Sequence, residues 1–131
     1  MSILAAVHQI IQERKSISAF LIEYTHTWNT LRAGFPDALS GSYNRYVIEK
    51  DEDIEIVLIV WGAGANTGFH GHPSGGCWLY VFEEPPLIED LPCNISNKIR
   101  GGYRAGLTDQ HAIRTFKPTA SIHIYNHNNR L

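Results

Sequence analysis

A mainly β fold, a small barrel or sandwich entered through N-terminal α-helices, is what this sequence predicts, and two patterns predict it. From Tyr43 onward, short runs rich in β-branched and aromatic residues alternate with Gly, Pro and Asn turns. Before Tyr43, apolar residues recur at helical spacing instead. The chain has 131 residues, within the range of one domain, so positions 1–131 are expected to form a single unit with a helical part at 1–40 and a barrel at 43–125.

The first helix is expected from Ile3, Val7, Ile10 and Ile11, which share one face, with Ser2 as N-cap. A second is expected to start near Ser18 and to carry Phe20, Leu21, Tyr24, Trp28 and Leu31 until Gly34 and Pro36 stop it. Seven strands are expected at 43–49, 54–61, 67–70, 77–82, 99–104, 111–116 and 120–125. Closing them into a barrel or sandwich removes exposed edges. Positions 126–129 read as a polar tail.

Composition excludes several classes of function. Apolar residues make up 44% and charged residues 18%, enough to bury a core, so a disordered chain is excluded. A net charge of −2 with no Lys- or Arg-dense stretch argues against nucleic acid and anionic membrane as partners. The apolar runs are too short to cross a bilayer. His8 and Gln9 interrupt the N-terminal apolar character, so no secretory signal is read and a cytoplasmic location is expected. Cys77 and Cys93 are then expected as free thiols, with one disulfide as the competing reading.

Seven histidines are the distinctive feature, most of them in the second half. In Phe69-His70-Gly71-His72-Pro73, strand geometry would turn His70 and His72 to one face and aim both imidazoles at a metal. His111 and His123 compete as the third ligand, and spacing does not choose between them. Ser121, His123 and Tyr125 also alternate along one strand, either as a hydrogen-bond relay or as hydroxyls filling the interior. A set of imidazoles without a carboxylate suits iron, zinc, copper or nickel rather than magnesium or calcium.

The segment from Tyr43 to Tyr125 resembles cysteine dioxygenase, a mononuclear iron enzyme with a cupin fold. Five pieces occur in that family's order. Tyr43-Asn44-Arg45 looks like the segment carrying its substrate-carboxylate arginine. Trp61-Gly62-Ala63-Gly64 followed by His70 and His72 looks like its tryptophan turn and paired iron ligands. Cys77 stands where a cysteine can join a tyrosine as a thioether. His111-Ala112-Ile113 resembles the third-ligand segment, and Ser121 to Tyr125 matches the Ser-His-Tyr relay.

The resemblance therefore implies a jelly-roll cupin barrel holding iron(II) on His70, His72 and His111. It also implies a carboxylate clamp at Arg45 flanked by Tyr43 and Trp61, a relay of Ser121, His123 and Tyr125, and a Cys77–Tyr125 crosslink. The implied partners are a small thiol and dioxygen, and the expected state is a monomer. The sequence departs from the family at Gly71, in the shorter loop between His111 and Ser121, at Phe82-Glu83-Glu84-Pro85-Pro86 and after Tyr125. Three readings follow: oxidation of L-cysteine to its sulfinate, oxidation of another small thiol such as 3-mercaptopropionate, or a non-catalytic metal-binding cupin.

Overall fold

The structure is a computed structural model, and it describes residues 2–106 and 110–128. Helix α1 spans Ile3–Gln12, and Ser2 caps it by accepting the Ala5 amide at 3.0 Å. The second expected helix is two: α2, Ile17–Glu23, capped by Ser16, and α3, Thr25–Ala33. The break falls at Tyr24, where the Thr25 hydroxyl donates to the Ile22 carbonyl at 2.7 Å and competes with the helical backbone bonds. Phe20, Tyr24 and Trp28 still cluster across the break, and the Trp28 indole N–H donates to the Leu21 carbonyl at 2.6 Å.

Eight strands follow among the described residues: β1 Tyr43–Lys50, β2 Ile54–Trp61, β3 Cys77–Val81, β4 Leu87–Leu91, β5 Ile95–Ile99, β6 Gly101–Arg104, β7 Ala112–Arg114 and β8 Thr119–Asn126. They form an antiparallel five-stranded sheet, β1-β2-β8-β3-β6, and a three-stranded sheet, β5-β4-β7. The expected strand at 67–70 is not one. That segment makes only isolated bridges, Asn66 with Arg114 and His70 with His111, because Gly68 between them turns it with a positive φ. The strand expected at 99–104 is interrupted at Arg100, and β4 and β5 went unread behind the Pro85-Pro86 turn. The expected polar tail begins later than read: Asn126 ends β8 and is buried, while Asn129 lies outside the described residues.

Period-two alternation gives the large sheet two buried faces. On β2 and β8, Ile54, Ile56, Leu58, Val60, Ala120, Ile122 and Ile124 pack under the helices around Phe20, Leu21 and Trp28. The alternate residues Val57, Ile59 and Trp61 join Leu79 and Val81 of β3 to meet Leu87 and Ile113 of the small sheet. This explains why β2 is apolar at nearly every position: it is central in the sheet and covered on both sides.

A bulge between Val47 and Glu49 places Glu49 opposite Ile56, on the helix side. Its carboxylate there accepts the Ile3 amide at 2.9 Å and sits at the positive end of α1. Gly62 must be glycine, because a Cβ there would lie 2.1 Å from the Leu39 carbonyl oxygen. No helix among the described residues is long and apolar enough to cross a membrane.

Trp28 is wholly buried at the centre of the helix-side core. Trp28→Ala should lower unfolding stability by about 3–5 kcal/mol, measured by chemical denaturation. A loss below about 1 kcal/mol would mean the helices contribute little to holding the large sheet.

Candidate metal centre

His70, His72 and His111 meet on the inner side of the barrel, their candidate ligand atoms all within 4.8 Å of one another. The convergence does not arise from a strand carrying both His70 and His72, as expected from the spacing. It is made by separate backbone anchors. His70 and His111 exchange reciprocal amide–carbonyl bonds of 2.9 and 3.1 Å, and the His72 amide donates to the Gly106 carbonyl at 3.1 Å. His111 Nε2 lies 3.2 Å from His70 Nε2 and 3.0 Å from His72 Nε2.

The outer nitrogens decide what those distances mean. His70 Nδ1 is 3.0 Å from the Gly68 carbonyl, which can only accept, so Nδ1 carries the hydrogen and Nε2 a lone pair. His111 Nδ1 is 2.6 Å from Glu89 Oε2, and an ionised carboxylate likewise takes the proton side of the ring. Burial lowers the affinity of His111 for a second proton, against the opposing pull of Glu89, so the neutral ring is favoured. Two lone pairs then face each other at 3.2 Å, an arrangement that a cation between them would stabilise. Metal–imidazole bonds of about 2.0–2.1 Å would put neighbouring nitrogens roughly 3.0–3.4 Å apart, close to the two distances at His111. The donor set fits a transition metal.

Sequence reasoning missed Glu89. It is 1% exposed on β4, and Arg104 grips it with Nε at 2.9 Å and Nη2 at 2.5 Å. Burial works against its charge, but the bonds from Arg104 and His111 hold the carboxyl below its ordinary range. A usable signal existed: in Leu87-Ile88-Glu89-Asp90-Leu91, Glu89 shares the inward face with Leu87, where an unpaired acid would be costly. The Glu89–His111 contact is the carboxylate–histidine pairing that orients metal ligands.

Of the ten residues singled out from the sequence, nine line one cavity of about 250 Å³: Tyr43, Arg45, Trp61, His70, His72, Cys77, His111, His123 and Tyr125. Ser121 lies behind it, accepting the Trp61 indole N–H at 2.8 Å and lying 2.7 Å from His123 Nε2. Thus Ser121 and His123 are joined, while His123 and Tyr125 meet as parallel rings with centroids 6.1 Å apart. Full burial pushes the His123 imidazole down to about 3, so it is neutral. Burial also pushes the Tyr125 phenol up and the Cys77 thiol up to about 12, so both keep their protons.

Cys77 and Tyr125 are direct partners in the β3–β8 register, which turns both side chains to the same face. The Arg45 guanidinium lies over the Tyr125 ring, 5.2 Å from its centroid, and the Tyr43 and Trp61 rings are 5.1 Å apart beside it. Cys77 and Cys93 are both free thiols, Cys77 buried and Cys93 exposed.

No family model and no curated protein matches the chain. Solved structures do. A cupin superfamily protein from Desulfitobacterium hafniense DCB-2 is similar at 11% identity with a TM-score of 0.60, over 73% of this chain and 87% of that one. A cupin-2 domain containing protein from Shewanella frigidimarina NCIMB 400 is similar at 15% identity and 0.57, over 76% and 91%. A cupin domain from Bordetella pertussis Tohama I is similar at 15% and 0.55, over 68% and 97%. At such identities the likeness concerns the fold, and the fold is that of a small cupin β-barrel with three histidines able to hold a metal.

If Glu89 orients His111, Glu89→Gln should weaken metal binding about 10–100-fold, read by competition against a chromogenic chelator. An unchanged affinity would mean that Glu89 serves only to neutralise Arg104.

Proposed function

We propose that this protein is an iron(II) thiol dioxygenase that oxidises L-cysteine to cysteine sulfinate. The observation that carries the reading is the direct pairing of Cys77 with Tyr125 beneath Arg45, on the wall of the cavity that also holds the three histidines. A pure metal-storage site has no use for a buried phenol, a neutral imidazole and a guanidinium beside the ion. Iron held by His70, His72 and His111 would bring the substrate sulfur and dioxygen together and supply the electron transfer between them. Both oxygen atoms end on sulfur, which reaches the sulfinic acid level without an external reductant.

The chain's own residues supply position and protons. Arg45 lines the same cavity as the three histidines, over the Tyr125 ring, and offers a planar guanidinium to the substrate carboxylate. Tyr43 and Trp61 line the cavity with it. Tyr125, kept protonated by burial, has an O–H that would serve as a hydrogen-bond donor to the reacting atoms. Trp61, Ser121 and His123 form a buried chain of polar contacts, 2.8 and 2.7 Å long, that fixes the imidazole against the Tyr125 ring. A thioether between Cys77 Sγ and the Tyr125 ring would further immobilise the phenol. Forming it removes the thiol hydrogen and one ring hydrogen, with dioxygen as the oxidant.

The test is oxygen uptake by iron(II)-loaded protein offered L-cysteine and 3-mercaptopropionate in parallel, with sulfinate identified by mass spectrometry. Uptake with sulfinate from cysteine is expected. Arg45→Ala should raise KM for cysteine about 10–100-fold, since hydrogen bonds to charged groups contribute about 1.5–3 kcal/mol. Tyr125→Phe should retain the metal and lower kcat about 100-fold or more. Bound iron with no uptake on either thiol would defeat the proposal. A crosslink would appear in intact-mass spectra as the loss of two hydrogen atoms, absent in Cys77→Ala.

A further inference from the structure

Glu55 has no task in the chemistry above, yet its position is specific. On the face of β2 whose Trp61 and Ile59 line the cavity, the row continues through Val57 to Glu55, so a carboxylate ends an otherwise apolar row just beyond the lining. Its side chain is only 13% exposed, and its cross-strand partners are Tyr125 on β8 and Lys50 on β1. Both carboxylate oxygens meet the two terminal nitrogens of Arg45, Nη1 to Oε2 and Nη2 to Oε1, each at 3.3 Å. His127 Nε2 lies 3.3 Å from Oε1. Burial opposes the charge, but the bonds from Arg45 and His127 hold the Glu55 carboxyl below its ordinary range.

We infer that Glu55 is a specificity-determining residue acting through Arg45, cancelling the guanidinium charge so that the site favours thiols whose head group pairs an ammonium with the carboxylate. The inference rests on the proposed role of Arg45 at the head-group end. A simple thiol carboxylate brings one negative charge to a pair whose charges already balance, leaving an excess anion in a partly desolvated site. A head group carrying both an ammonium and a carboxylate adds no net charge and meets each sign with its opposite. Removing the Glu55 charge uncovers Arg45 and reverses the advantage.

The experiment measures binding of L-cysteine, 3-mercaptopropionate and cysteamine to the iron(II)-loaded protein by calorimetry under argon. The wild-type protein is expected to bind cysteine more tightly than 3-mercaptopropionate. Glu55→Gln, nearly identical in shape, should shift that ratio at least about fivefold toward 3-mercaptopropionate and weaken cysteamine. Glu55→Asp keeps the charge and should hold the wild-type order. An unmoved ratio in Glu55→Gln, or an equal shift in Glu55→Asp, would overturn the inference, because shape rather than charge would then be responsible. Since dioxygen is absent, failure of the oxidation chemistry would leave a shifted ratio intact, whereas no binding of any of the three thiols would overturn both.

Discussion

Sliding β2 against β8 by one residue would exchange the two faces of the large sheet, and every functional side chain on them would point into the helices. The register Ile59 with Ser121, Val57 with His123 and Glu55 with Tyr125 keeps the polar row on the cavity side. Ile56 with Ile124 and Leu58 with Ile122 keep the apolar row under α2 and α3. The slip is blocked from both sides, because neither the helix-side core nor the inter-sheet core accepts the other's residues. The β3 register against β8 is tied to the same constraint and brings Cys77 opposite Tyr125.

The candidate metal centre depends on a different device. Its three histidines come from loop segments rather than from one strand, so their convergence needs anchors. The reciprocal His70–His111 bridge and the His72–Gly106 bond fix the backbone, and Gly68 and Glu89 fix the tautomers of His70 and His111. Arg104 completes this support by keeping a buried carboxylate charged. An imidazole with its outer N–H engaged cannot turn its lone pair away from the centre.

The two arginines of the cavity thus have matching roles toward two glutamates. Arg104 pairs with Glu89 beside His111, and Arg45 pairs with Glu55 beside Tyr125. Each pair places opposite charges together where either alone would be costly to desolvate. The first pair orients His111. The Arg45–Glu55 pair is the more exposed and the longer of the two.

By itself the sequence determined the helical lead-in, the β-rich remainder, the His70/His72 pair and the Ser121, His123, Tyr125 alternation, because hydrophobic period and side-chain chemistry are local properties. As cavity residues, Arg45, Cys77, Tyr43 and Trp61 were implied only by the family resemblance. His70 and His72 were legible as a pair even though they share no strand. The choice between His111 and His123, open on spacing alone, depends on which loop bridges to His70, a contact across 41 positions. Glu89, Arg104 and Glu55 were hidden for the same reason: a carboxylate or a guanidinium has no function in one dimension. Only the tertiary structure decided these pairings, since burial and opposing charge exist only once distant strands lie side by side.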